Sequence, residues 1–195
     1  MGKKFVLTDE FVVNVFGIKL FRIKCTKSFK YANEGEFGGY IEKEENLSQY
    51  GDAWVSGNAR VSGNARVYGD AWVSGNAQVY GKALVYDKAQ VSGNARVYGK
   101  ALVYGKAQVS GDAQVSGDAN IDSNDKHCGF DCFGSANRHT HAYLTKENEV
   151  EITCGCFSGS IEEFEKKVEK THAGTIYERQ YKAMINVIKI KFNLL

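Results

Sequence analysis

From Asp52 to Ser123 small and branched apolar residues alternate with polar ones on a six-residue period. Asn58-Ala-Arg-Val-Ser-Gly63, Asn64-Ala-Arg-Val-Tyr-Gly69 and Asp70-Ala-Trp-Val-Ser-Gly75 set the pattern, and twelve hexads run on without an inserted loop. A fixed internal period of this kind outranks any local propensity as a guide to architecture. Ala and Val stand two apart, so an extended strand turns both to one side, while the residue between them and the Ser or Tyr that follows point away. Gly followed by Asn, Asp or Lys marks a sharp corner, because these residues tolerate positive φ or turn geometry. Three short strands and three corners close an 18-residue triangular coil, so residues 52–123 predict four coils. At ~4.8 Å between strands the prism is about 19 Å long.

Folding the sequence at 18 residues sorts the outward side chains into three faces. One carries Ser56, Ser74, Ser92 and Ser110 with Trp54, Trp72, Gln90 and Gln108. A second carries Ser62, Tyr80, Tyr98 and Ser116 with Arg60, Gln78, Arg96 and Gln114. The third aligns Tyr68, Tyr86 and Tyr104 beside Leu84 and Leu102, an aromatic and aliphatic strip that a solvated face does not need. This strip is expected to be an oligomer interface. Lys82 and Lys100 share a corner beside it.

An open prism end exposes strand edges and core, so both flanks should act as caps. Upstream, residues 1–51, the segment Val12–Val15 and the segment Ile18–Cys25 predict a hairpin across Phe16-Gly17, and Ile41 and Leu47 take the interior role in an irregular first coil. Downstream, residues 124–195 form a smaller α+β module. Ala142–Thr145 and Val150–Cys154 alternate across a polar turn. Ser160 with Glu163 is a capping-box signature ahead of Ile161, Phe164 and Val168, and Tyr177, Tyr181, Met184, Ile185, Ile188 and Phe192 trace one face of a second helix. The resulting reading is ββαα.

These repeats resemble the left-handed parallel β-helix of the hexapeptide-repeat family; the handedness is what the resemblance implies. Gly38-Gly39-Tyr40-Ile41-Glu42, then Glu45-Asn46-Leu47-Ser48 and Gly51-Asp52-Ala53-Trp54-Val55, look like the lead-in of phage and prophage proteins labelled hexapeptide transferases or polymer-forming proteins. Cys154-Gly155-Cys156-Phe157-Ser158-Gly159, Glu163-Phe164, and Thr171-His172 near Tyr177 look like the C-terminal segment that accompanies such repeats in phage-type proteins. The fold class expected is mainly β: a left-handed parallel β-helix, an N-terminal hairpin cap and a ββαα module. Members of the family commonly form trimers, so a homo-oligomer, a trimer foremost, is the partner expected. Its acyltransferases use a histidine base near a groove between prisms, with a loop embracing coenzyme A. The coils here hold no histidine and no loop. That leaves acyl transfer as the second reading, with His139, His141 or His172 supplied by a neighbouring subunit.

Charge and cysteine content narrow the options further. Basic and acidic residues number 8 and 7 in 1–51, 7 and 6 in 52–123, and 10 and 10 in 124–195, so no segment is basic enough for nucleic-acid binding by phosphate neutralisation. The start, Lys3-Lys4-Phe5, runs into Asp9 and Glu10, and no apolar run reaches the ~18 residues a membrane span requires. Five cysteines, an odd number, make no closed disulfide framework and favour a reducing compartment, the cytoplasm, or the host's if the chain is phage-encoded.

Four of the five cysteines and all four histidines fall in residues 127–172. His127, Cys128, Cys132, His139, His141, Cys154 and Cys156 offer zinc-type donors, but Cys128-x3-Cys132 lacks the usual paired knuckle. Cys154 and Cys156 on a strand would lie on one face beside Val150 and Ile152, where thiols serve as small apolar residues. No metal and no cofactor is expected. A rigid prism with lysine corners suits a binding protein for a small anionic ligand or a host protein. Its contacts would come from Arg138, Lys146, His172, Tyr177, Arg179 and Tyr181, with Lys82 and Lys100 completing a pocket at a subunit seam.

Overall fold

The structure, a computed structural model, describes residues 2–195. Its centre is a β-solenoid of about five turns, in which each two-residue strand pairs in parallel with the strand 18 residues on. Trp54 aligns with Trp72, Gln90 and Gln108 on one side; Arg60 with Gln78, Arg96 and Gln114 on the second; Arg66 with Leu84, Leu102 and Asn120 on the third. The Ala and Val of each hexad form one contiguous core, closed to solvent from Ala53 to Ile121. The irregular first coil is present as expected: Ile41 and Leu47 are interior, Tyr40 pairs with Arg60, and Leu47 bridges to Val67.

The corners stack as tightly as the strands. At Gly69 φ is +69°, and a Cβ there would lie 2.9 Å from the backbone nitrogen of Asp87 in the next coil. Asp87 fills the glycine role in its own hexad at φ 55°, with its carboxylate reaching the backbone N–H of Gly105 at 3.4 Å. Gly69→Ala should therefore cost about 2 kcal/mol through strain and the forced shift of a backbone neighbour, whereas Asp87→Gly should be neutral or stabilising by about 0.5 kcal/mol. Urea unfolding of the two variants checks this; equal destabilisation by both would contradict it. Another corner is tied by side chains, the amides of Asn58, Asn76 and Asn94 each donating to the next residue of the Asn76, Asn94, Asp112 series.

At the N-terminus the expected hairpin forms from β1 (Phe5–Val13) and β2 (Lys19–Cys25), with Val13 opposite Lys19, and β1 reaches further upstream than its alternation suggested. β3 (Phe37–Ile41) pairs antiparallel with β2 and parallel with the solenoid strand Arg60–Val61, so it joins hairpin to prism. Gly39 permits that junction, since a Cβ would come 2.6 Å from the carbonyl of Ala59. Lys4 closes the prism end: its ammonium donates to the carbonyls of Gly51 and Ala53 over the Phe29 ring. Burial pulls its pKa down to about 8.

At the other end, the hairpin expected at Ala142–Thr145 and Val150–Cys154 is present with Tyr143 opposite Glu151, and it is extended on both sides. Strands His127–Phe133 and Phe157–Ser160 flank it, giving a four-stranded antiparallel sheet followed by two helices, so the module is ββββαα where ββαα was expected. α1 (Ile161–His172) starts at the predicted capping box, and α2 (Ile176–Lys191) buries Tyr181, Met184, Ile185 and Ile188. One side of the sheet packs on the helices through Ala142, Val150, Ile152 and Cys154. The other side meets the solenoid end, where the Thr153 hydroxyl donates to the carbonyl of Gln114, Lys146 N donates to the carbonyl of Asp118, and Tyr143 joins the solenoid core. Among the described residues no helix is long and apolar enough to cross a membrane.

Candidate functional site

The three prism faces have different fates. Trp54, which points outward from its strand, is covered by the N-terminal segment: Phe5 and Phe29 pack edge-on to its ring at 6.4 and 5.3 Å. Trp72 is stacked by Tyr31 at 5.7 Å and donates its indole N–H to the Ser56 hydroxyl. The second face is overhung by the hairpin tip. The third carries the Tyr/Leu strip: Tyr68, Tyr86 and Tyr104 stack in register at 4.9 Å with ring planes 1° and 6° apart, and Leu84 and Leu102 lie half-buried beside them. Burial first, and then the neighbouring phenols, raise the pKa of Tyr86.

The residues predicted to bind a ligand fall into two groups. His172, Tyr177 and Tyr181 form an aromatic cluster where α1 meets α2, His172 stacking on Tyr181 at 5.4 Å and lying 6.0 Å from Tyr177. Tyr181 is buried, and its phenol is pushed up to about 12 by burial and by Cys154 beside it. Arg138 packs over Gly155 near the same ring, while Arg179 is exposed on α2. Lys146 belongs elsewhere, ion-paired with Asp118 at 3.1 Å and Glu147 at 3.5 Å. Asp118 continues the corner column of Lys82 and Lys100, so these three lysines share an edge of the prism and the aromatic group lies on the helices.

The cysteines also divide. Cys154 is buried and accepts from the Thr140 hydroxyl, whereas Gly155 turns the chain at φ 61° and leaves Cys156 exposed. The two sulfurs therefore do not share a strand face as expected, because the strand ends between them. Cys128 is half-buried with its pKa raised to about 11 by burial, and Cys132 is exposed. All five thiols are free, and among the described residues no three His, Cys, Asp or Glu side chains converge as a metal site.

Sequence reasoning missed how the histidines assemble. His139, His141 and Tyr143 alternate along strand Arg138–Leu144, and His127 sits opposite Tyr143 on the neighbouring strand. His127 Nδ1 and His141 Nε2 lie 3.0 Å apart, sharing one hydrogen, and His139 Nδ1 meets the Asp131 carboxylate at 2.5 Å. His141 is 2% exposed with Nδ1 unpartnered. Burial holds its pKa well below the ordinary value and brings that of His127 down to about 4, with Lys191 adding to the latter. The imidazoles of His127 and His141 are therefore neutral packing groups at physiological pH. The i, i+2 spacing of His139, His141 and Tyr143 was the signal available.

Comparison with known families gives a family model described as the YdcK beta solenoid repeat, which matches residues 59–75 and 89–105. This is a β-solenoid repeat protein. Both matched stretches lie within the coils, so the likeness concerns the prism and leaves the hairpin cap and the helical module outside it. No curated protein matches the chain.

Proposed function

We propose that the protein is a non-catalytic scaffold that associates with further copies of itself, a trimer foremost, through the Tyr68, Tyr86, Tyr104, Leu84 and Leu102 face. The observation that carries this reading is the unbroken in-register ladder of half-buried rings on one flat face: such a surface loses water readily and can meet an identical surface under closed symmetry. The hexapeptide-repeat resemblance, in which side-by-side trimers are common, supports the same geometry.

The role that fits such an assembly is cytoplasmic binding of phage type: sequestering a small anionic nucleotide signal or blocking a host protein in counter-defence. The phage-like lead-in at Gly38–Glu42 supports it. Acyl transfer would need a histidine base free at a groove between prisms. His141 is enclosed, His139 is held by Asp131, and His172 is stacked on Tyr181, which favours binding over catalysis. Native mass spectrometry of the full chain tests the reading, through the mass of the assembly and any small molecule it retains.

A further inference from the structure

The second prism face and the tip of the N-terminal hairpin enclose a groove of about 300 Å³. The tip is held in place by Asn14, whose side-chain oxygen accepts from the backbone N–H groups of Phe16 and Ile18. Beneath it Arg60, Gln78 and Arg96 occupy successive coils of one outward column. Two strand spacings set the arginine backbones about 10 Å apart, within reach of one small ligand for side chains of this length. Neither arginine takes part in the ion pairs formed among the described residues, and no carboxylate lines the groove. Two guanidinium groups without counter-ions on a rigid floor form a site for an anion, and their planar forks suit phosphate oxygens.

The neighbouring column adds a second recognition element. Tyr80 stacks on Tyr98 at 5.0 Å with planes 3° apart, so one of its faces is covered. Along the column in the other direction stands Ser62, too small to cover the opposite face, so a planar ring there would extend the ladder by one step at the usual spacing. Tyr80 lines the groove together with Ser62, as does Phe16, which is 76% exposed at the tip. Gln78 between the arginines can both donate to and accept from a polar ring edge.

We infer that this groove binds a phosphate ester carrying a planar heterocycle, a nucleotide-class ligand, with Arg60 and Arg96 on the phosphate and Tyr80 against the ring. The inference rests on the sequestration reading for its purpose and on the groove alone for its geometry. Its residues lie on the second face, away from the strip proposed for self-association, so the two can fail separately.

Isothermal titration of the full chain with AMP, GMP and UMP, and in separate runs with ribose 5-phosphate and inorganic phosphate, tests it. At least one mononucleotide should bind saturably and at least tenfold more tightly than ribose 5-phosphate or phosphate, and its affinity should weaken with added salt. Arg60→Gln and Arg96→Gln should each lower it at least tenfold. Ser62→Tyr, which extends the tyrosine ladder into the space the ring would take, should abolish binding while the circular dichroism and unfolding midpoint stay those of a folded solenoid. The Tyr86→Glu, Leu102→Glu variant should bind as wild type whatever its mass. Absence of saturable binding by all three mononucleotides, ribose 5-phosphate binding as tightly as they do, or affinity unchanged in Arg60→Gln, Arg96→Gln and Ser62→Tyr would overturn the proposal.

Discussion

Tyr143→Ala should lower the unfolding free energy by about 4 kcal/mol, the range for removing a large buried aromatic side chain. Tyr143 is fully enclosed and belongs to the Ala/Val core of the solenoid although it comes from the C-terminal sheet. It closes the last coil as Lys4 closes the first. Its hydroxyl lies 3.1 Å from the Ser116 hydroxyl and accepts from Ser116 N, so truncation opens a cavity and also strips a partner from buried polar groups. Tyr143→Phe keeps the ring and loses only the hydroxyl contacts, with an expected cost of about 1 kcal/mol. Chemical denaturation followed by circular dichroism separates the two. A cost below 1 kcal/mol for the alanine variant would mean that the ring does not seal the solenoid, and that the module's attachment rests on its rim contacts alone.

Acid should loosen the same junction well before carboxylates titrate. In the unfolded chain His127 and His141 have ordinary imidazole pKa values near 6.5, whereas in the folded protein His127 is lowered to about 4 and His141 lies well below its usual value. Burial is the first cause for both. His141 also faces His127 and His139, and Lys191 bears on His127, while the Asp131 carboxylate is engaged with His139. A proton is therefore bound more readily by the unfolded state. Stability from this source is complete above about pH 6.5 and declines as pH falls toward 4, at up to about 1.4 kcal/mol per pH unit for each histidine. For His127 alone the full span amounts to about 3 kcal/mol. Urea midpoints at pH 7.5, 6.5 and 5.5 should fall a little across the first interval and about three times as much across the second, and His127→Asn should flatten part of that fall. A midpoint constant from pH 7.5 to 5.5 would contradict the neutral-imidazole junction.

The solenoid was readable because a six-residue period fixes which side chains face inward, whatever lies far away in sequence. Asp87 shows how strongly the period governs: the corner keeps its left-handed backbone even where glycine is replaced. Interactions between distant segments were not readable. Trp54 and Trp72 read as open-face residues because nothing local shows that Phe29 and Tyr31, some twenty-five and forty residues earlier, lie across them. The two flanking strands of the C-terminal sheet escaped notice because Gly129 and Asp131 blur the alternation in one and the other is only four residues long. Cys154 and Cys156 illustrate a different limit, since a single positive-φ glycine ends the strand on which their shared face depended. Residue type and position in sequence say nothing of distance in space, and the fold divides the predicted ligand residues between the helices and a prism edge.

The central claim is that the Tyr/Leu face joins copies of the chain, and the mass of the native particle tests it most directly. Native mass spectrometry and light scattering should give a small multiple of the 21.6 kDa chain for wild type, three chains foremost. Tyr86→Glu with Leu102→Glu should reduce it to single chains, because two charges in the middle of the strip would have to be buried without partners. A wild-type particle of 21.6 kDa at micromolar concentration, or an assembly whose mass the double variant leaves unchanged, would contradict the account.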